Sequence, residues 1–453
     1  MTTKAGRHEV GSFTRATLAA FGMRILTFVI QVASSVALAR LLGPEGKGVY
    51  TLALLLSGLV ASFSNLGIGP STAYHAAKGC YPRQQVFGNN LFIALALGCA
   101  GLLGGLLTLM LLGNHVLPKV PKSYALVALF IVPIDICHST LLHLMLGAQR
   151  FKEYNIGGLL SALGFLVLVS LFLWVAQAGV LGAVGAALLA KLLSTLILFV
   201  WARRIFGGIS IRFDRAYVTK VASYGFQTHL GSIAGFLHYR VDMFLVNTFL
   251  YPAAVGFYAA AVGLVEKVWF GSWAAATMLF PRVVRETDER RRKAFTPLVT
   301  RTVLWVTTVQ VLVLVLLARP IVSFLYSEAF LPSVPALQVL ALAAVAVSGS
   351  RVLANDISGR GRPILNTYIA VTGLIVNIVL NVVLVPKYGI TGAAWASALS
   401  YSTSFLIRLL AYCRISGNRW TIVLFPQRND WILYWRTGLA LGRWMKTKVR
   451  NLF

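Results

Sequence analysis

Charge is the first thing this chain is short of, and acidic charge above all. Only 12% of its 453 residues are charged, with 13 Asp plus Glu against 41 Lys plus Arg. Soluble domains carry about 25%. So little charge excludes a globular enzyme and points to a polytopic membrane protein, in keeping with an apolar share of 58%. Cysteine is scarce as well. Cys80, Cys99, Cys137 and Cys413 show no CxxC spacing, which excludes a zinc ribbon or a disulfide scaffold and leaves them as small apolar residues. Walker A loops, HExxH helices and nucleophile elbows are missing. Long polar loops are missing too, so no extramembrane domain is expected to host separate chemistry. Met1 to Gly11 is polar and lacks the apolar core of a cleavable signal, and the run behind it is long enough to be a first span. The net charge of +28 would suit nucleic acid. The basic residues are scattered over many short loops instead of forming one stripe, so no nucleic-acid partner is expected.

What the chain has is apolar runs. Twelve are long enough to cross a bilayer, at roughly 13–39, 48–73, 85–112, 123–146, 156–177, 180–202, 221–249, 253–280, 298–318, 333–357, 364–385 and 389–412. Loop Lys and Arg are lopsided. Lys4, Arg7, Lys78, Arg83, Arg150, Arg203, Arg204 and the run Arg290 to Lys293 share the side of the N-terminus, together with the basic tail after Arg414. The opposite side holds Arg40, Lys47, Lys119, Lys122, Arg319 and Lys387. The excess of basic residues on one side places both termini in the cytoplasm.

The two halves repeat. Pro44-x-x-x-Gly48-Val49-Tyr50 recurs as Pro252-x-x-x-Gly256-Phe257-Tyr258, Gly147-x-x-Arg150 as Gly359-x-x-Arg362, and Gly179-Val180-x-Gly182-Ala183 as Gly389-Ile390-x-Gly392-Ala393. One such match means little, because Gly and Pro punctuate most turns. Three in order at nearly constant spacing indicate a duplication. Each copy holds six spans, so the copies point the same way, and the expected fold is all-α: two six-helix bundles related by an axis along the membrane normal. The expected domains are 1–212, 213–414 and an interfacial, Trp-rich basic tail over 415–453.

Charges near the middle of spans mark candidate sites, since each costs roughly 2.5–3.5 kcal/mol to insert. Arg24, Lys191, Arg240 and Lys267 are basic; Asp135, Asp242 and Glu266 are acidic. The cationic surplus suits an anionic cargo, whose phosphates would bind guanidinium or ammonium groups far more tightly in a poorly hydrated cleft than in water. Gln31 and Ser35 continue a polar stripe from Arg24. His229, Arg240 and Asn247 share one side of their helix, while Asp242 points elsewhere. Asp242, Glu266 and Asp135 are candidates for ion coupling or for structural pairing, with Asp135 two residues past Pro133. Arg301, Arg351 and Arg408 read as snorkelling anchors near span ends. The run Arg285 to Lys293 reads as a solvated loop touching anionic headgroups.

The run "ALARLLGPEGKGVYTLALLLSGLVASFSNLGIGPSTAYHAAKG" (Ala37 to Gly79) resembles the first helical hairpin of bacterial polysaccharide flippases, a branch of the multidrug/oligosaccharidyl-lipid/polysaccharide exporter superfamily. "YRVDMFLV" (from Tyr239), "LFPRVV" (from Leu279), "FLYSEAFLPSVPALQVLALA" (from Phe324) and "GRGRP" (from Gly359) are similar to its later pattern. The resemblance implies a flippase of the inner membrane moving undecaprenyl-pyrophosphate-linked oligosaccharide, such as an O-antigen unit, to the outer leaflet by alternating access. It implies membrane lipids and polysaccharide polymerase machinery as partners, with no cofactor beyond a coupled proton or sodium ion. Arg24 stands about where related lipid II flippases carry a cavity arginine. Ile30 and Gln31 stand where those relatives have a further one, so that part of their site does not transfer. Two other readings remain open: an ion-coupled drug or metabolite antiporter of the same fold, which the cationic surplus disfavours, and a membrane glycosyltransferase or polymerase, which short outer loops disfavour.

Overall fold

In an apolar solvent every backbone N–H and C=O must find a partner within its own segment, and helices achieve this. The computed structural model describes residues 4–210, 214–286, 288–428 and 430. Among these residues all regular structure is helical. The helices are α1 (Lys4–Ser64), α2 (Ile68–Lys78), α3 (Arg83–Val116), α4 (Lys122–Leu129), α5 (Ile131–Gly147), α6 (Phe151–Ser170) and α7 (Gly179–Phe206). They continue with α8 (Arg215–Phe249), α9 (Pro252–Arg285), α10 (Glu289–Leu316), α11 (Ala318–Tyr326), α12 (Val334–Gly359), α13 (Pro363–Ser416) and α14 (Trp420–Leu424). A π turn, Leu171–Val175, extends α6, and a 3-10 turn, Glu328–Ser333, precedes α12.

Nine helices among the described residues are long and apolar enough to cross a membrane. Two of them are broken. Gly43 takes φ 66° inside α1 and Gly389 takes φ 60° inside α13. Only glycine adopts such angles freely, and Pro44, which lacks an N–H, fits the first turn of the rod that follows. Each broken helix supplies two of the expected spans, and α8, outside the nine, supplies one more, so the twelve anticipated rods occur in order. The expected span 48–73 stops at Ser64, because Leu66 (φ 45°) and Gly67 (φ 69°) turn the chain into the separate α2. Between α4 and α5 the helix breaks at Phe130, where the Pro133 ring would clash with the Leu129 carbonyl.

Exposure runs opposite to a soluble protein. Leu111 and Leu316 are more than three-quarters exposed, whereas Ala53, Ala183 and Ala186 are fully buried among neighbouring helices. Small residues let backbones approach while branched ones face lipid. The chain divides into two compact units. One comprises residues 1–263, 319–336 and 378–393, with a core around Leu38, Tyr50, Val169 and Val184. The other comprises residues 264–318, 337–377 and 394–453, with cores around Leu279 and Val303 and around Leu353 and Tyr412.

Candidate functional site

Within the first unit, charge gathers in one cleft. The α4–α5 break sets the first turn of α5 against α7, and there Lys191 Nζ meets Asp135 Oδ1 at 2.9 Å. The pair is half open, with side-chain exposures of 27% and 41%. Two adjoining cavities share Asp135 and Gly58. One of about 270 Å³ is lined by Ser62, Asn65, Ser139 and Phe236 among others. The other, about 200 Å³, is lined by Leu54, Ser57, Ala187 and Lys191 among others. Behind the pair, Thr195 Oγ1 donates to the Lys191 carbonyl at 2.7 Å and lies 3.2 Å from His138 Nδ1. The two cavities place one cation and one anion, with the side chains of Ser57, Ser62, Asn65 and Ser139, amid apolar helices. The pair is only partly enclosed and both groups line the cavities, so an anion or a cation entering them can reach either partner.

The remaining sequence candidates are spread over both units. Asp242 is buried; it accepts from Tyr258 Oη at 2.6 Å and from the Met243 amide at 2.8 Å. Arg24 and Arg240 are half-buried in the first unit, Glu266 and Lys267 half-buried in the second, and each of the four has partners. Gln31 is exposed on α1. Ser35 shares a hydroxyl contact of 3.2 Å with Tyr326. Asn247, anticipated as cavity lining, is instead fully buried and donates to the Pro118 carbonyl at 3.1 Å. Its Oδ1 is buried without a partner.

At the end of the unit where loop lysines are few, the two Pro-x-x-x-Gly motifs meet reciprocally. A Cβ on Gly48 would lie 1.8 Å from the Pro252 carbonyl oxygen, and one on Gly256 would lie 1.9 Å from that of Pro44. Glycine is required on both sides because backbone touches backbone. The duplicated motif is thus a self-complementary seam. Beside it, Arg40 donates to the Leu325 carbonyl at 2.9 Å and to that of Phe324, capping the end of α11. Lys119 donates to the Leu250 carbonyl at 2.8 Å.

Lys47 is the residue that sequence reasoning missed. It counted as a loop charge, yet it is buried, with Nζ 4.1 Å from the Tyr326 ring centroid, 5.4 Å from that of Phe330 and 3.4 Å from Ser35 Oγ. Its place three residues past Pro44, inside the repeated motif, was the available signal.

The second unit corrects the reading of three arginines as snorkelling anchors. Arg301 is buried and pairs with Asp430 through two bonds of 2.7 and 2.9 Å. Arg351 stacks 4.8 Å from the Trp269 ring centroid. Arg408 donates to Asn366 Oδ1 at 3.1 Å and to Ser350. Each finds its partner within the protein, so none needs to reach for water. Burial pushes the Asp430 carboxyl up, but the Arg301 guanidinium and the Gln427 amide outweigh this and hold it below the usual carboxylate range. Trp431, Trp435 and Trp444 of the anticipated interfacial tail lie outside the described residues. Among the described residues no cluster of His, Cys, Asp and Glu has the form of a metal site.

Comparison with known proteins adds three findings. The family model described as "Polysaccharide biosynthesis protein" matches residues 13–286. A putative O-antigen transporter of Shigella flexneri is 23% identical over 282 residues, 60% of this chain and 66% of that protein. The chain spans from 23% to 66% of the length of the curated relatives it matches. Among solved structures, the lipid II flippase MurJ in an inward closed conformation superposes with a TM-score of 0.72 at 15% identity, covering 93% of each chain. An inward-facing multidrug resistance MATE family transporter of the MOP superfamily gives 0.72 at 15%, covering 86% of this chain and 94% of that one. The fold is therefore that of the MOP superfamily, and the molecule is a multi-pass membrane protein.

Proposed function

The chain belongs to the polysaccharide biosynthesis protein family, and from that premise we propose that it flips a lipid-linked oligosaccharide across the membrane by alternating access. The cargo is a polyprenyl-diphosphate-linked glycan unit, undecaprenyl in a bacterial inner membrane. It moves from the cytoplasmic to the outer leaflet, with both termini on the cytoplasmic side. Two six-helix bundles, residues 1–212 and 213–414, rock about the cargo. No covalent step is needed.

The observation that carries the reading is the half-open Lys191–Asp135 pair in its polar cleft. The ammonium group exchanges its carboxylate for the cargo diphosphate, and the freed carboxylate takes up a proton or sodium ion. One exchange thereby ties cargo loading to ion uptake. Arg24 and Arg240 supply further cationic contacts within the first unit, where Asp242 is a secondary candidate for the coupling ion. The polyprenyl tail stays in lipid, and the seam of Pro44, Gly48, Pro252 and Gly256 parts when the outer side opens.

Surface glycan in a bacterial strain deprived of its own flippase tests the reading. The wild-type chain restores glycan, whereas Lys191→Ala, Arg24→Ala and Arg240→Ala do not, at unchanged protein abundance. Normal glycan in all three variants would overturn it. Export of a fluorescent organic cation by the wild-type chain would favour a drug antiporter instead.

A further inference from the structure

In the second unit a cavity lined by arginines lies where α9 ends and α10 begins. The cavity, of about 430 Å³, is lined by Arg282, Arg291 and Arg292, with Val283, Phe295 and Leu298 as its apolar floor. Glu286 is the one carboxylate among the lining residues, while Arg291, three-quarters exposed, has Asp288 Oδ2 3.7 Å from its Nε. The Glu286 carboxylate is engaged in the turn, where its Oε1 accepts from the Asp288 amide at 3.2 Å. Arg282 Cζ stands 3.5 Å from the centroid of the Phe295 ring, a cation–π contact that holds the guanidinium at the cavity wall. Arg292 is mostly buried, and its Nε is buried with no hydrogen-bond acceptor. Its nearest carboxylate oxygen, on Glu289, stands 3.7 Å from Nη1. A guanidinium N–H shut away from water without an acceptor is one of the costlier vacancies in a folded protein.

The surroundings say which anion would fill it. Phe280 and Val284, one turn apart on α9, are 41% and 51% exposed on either side of Arg282. Exposed apolar side chains flanking Arg282 along α9 set this end of the helix at the boundary between acyl chains and headgroups, where a long arginine side chain reaches the phosphate layer. We propose that this cavity holds the phosphate of an anionic phospholipid, with guanidinium groups of Arg282, Arg291 and Arg292 on the phosphate oxygens and the glycerol end of an acyl chain on Val283, Phe295 and Leu298. The site lies apart from the Lys191 cleft in sequence and unit, and does not rest on the transport reading.

Native mass spectrometry of the full-length protein, released from bilayers of phosphatidylcholine with a minor share of phosphatidylglycerol, tests the proposal. The wild-type chain should retain one phosphatidylglycerol in preference to phosphatidylcholine. Arg292→Gln and Arg282→Gln should each lower that retention roughly fivefold at low salt, as expected for one surface cation per lipid charge. Arg292→Lys keeps the charge but removes the buried Nε donor, and should still lose most of the preference. The control Arg414→Gln, a basic residue elsewhere at the membrane border, should change nothing. Equal retention in all variants would reduce the effect to general surface charge and overturn the proposal. Binding of inorganic pyrophosphate at these arginines with no retained lipid would overturn it as well, since the ligand would then be a soluble phosphate.

Discussion

A single methyl group on Gly48 should pry open one end of the molecule. Its Cβ would sit 1.8 Å from the Pro252 carbonyl oxygen and 3.0 Å from the Gly256 amide nitrogen, all backbone. A carbon and a carbonyl oxygen settle at about 3.3 Å, so the seam must widen by roughly 1.5 Å. No side chain can swing aside to absorb the strain. Overpacking of this kind costs about 1–3 kcal/mol, which shifts a two-state equilibrium roughly 5- to 150-fold away from the closed seam. Gly48→Ala and Gly256→Ala should act alike, because the two contacts are reciprocal. Their effects should also fall short of additive, because either one already opens the same seam. The assay is labelling of Ala254→Cys, a position only 2% exposed beside the seam, by a membrane-impermeant maleimide in a chain whose native cysteines are replaced by alanine. Labelling should be slow with both glycines present and at least severalfold faster in either variant. Unchanged rates in both would show that the seam is not a moving contact.

The Lys191–Asp135 pair predicts an asymmetry: Asp135→Asn keeps Lys191 available for diphosphate and retains downhill flipping, whereas the charge swap of both residues folds yet fails to flip, as read in reconstituted vesicles. Lys47→Met fills the same aromatic niche and removes both a cation–π contact of about 0.5–2 kcal/mol and the desolvation cost of a buried ammonium, so thermal unfolding should show the variant at least as stable as the wild type. Asp430→Asn leaves the buried Arg301 unpaired and should destabilise the second unit by about 3–5 kcal/mol, with cleavage of the tail after Arg414 at lower protease concentration. Asp430 is held below the usual carboxylate range, so its contribution is present above the unfolded carboxylate pKa and disappears as pH falls through the depressed folded value. Acid should therefore release the tail of the wild-type chain but not alter that of the Asp430→Asn variant.

Much of this architecture was legible in the residues, for physical reasons. Apolar length sets span number, and the repeated motifs at Pro44 and Gly389 stood at the junctions between expected spans, where α1 and α13 break. The repeated Pro-x-x-x-Gly motif was legible as a duplication, although not as a seam in which its two copies touch each other. Mid-span charge singled out Lys191 and Asp135, but a pair 56 residues apart on different helices depends on a rotation that periodicity does not encode. Lys47 escaped because a tally of loop charges assumes that basic residues near span ends face water. Arg301 escaped because its partner, Asp430, lies in a tail whose composition suggested only a membrane surface.

The central claim is that Lys191 exchanges Asp135 for the diphosphate of a glycan-bearing lipid. Reconstituted vesicles carrying a fluorescent polyprenyl-diphosphate oligosaccharide, with a membrane-impermeant quencher outside, measure it directly. Wild-type protein should flip the lipid and Lys191→Met should not, while a polyprenyl glycan lacking the diphosphate should be ignored by both. Equal flipping of the diphosphate lipid by wild type and Lys191→Met would contradict the account.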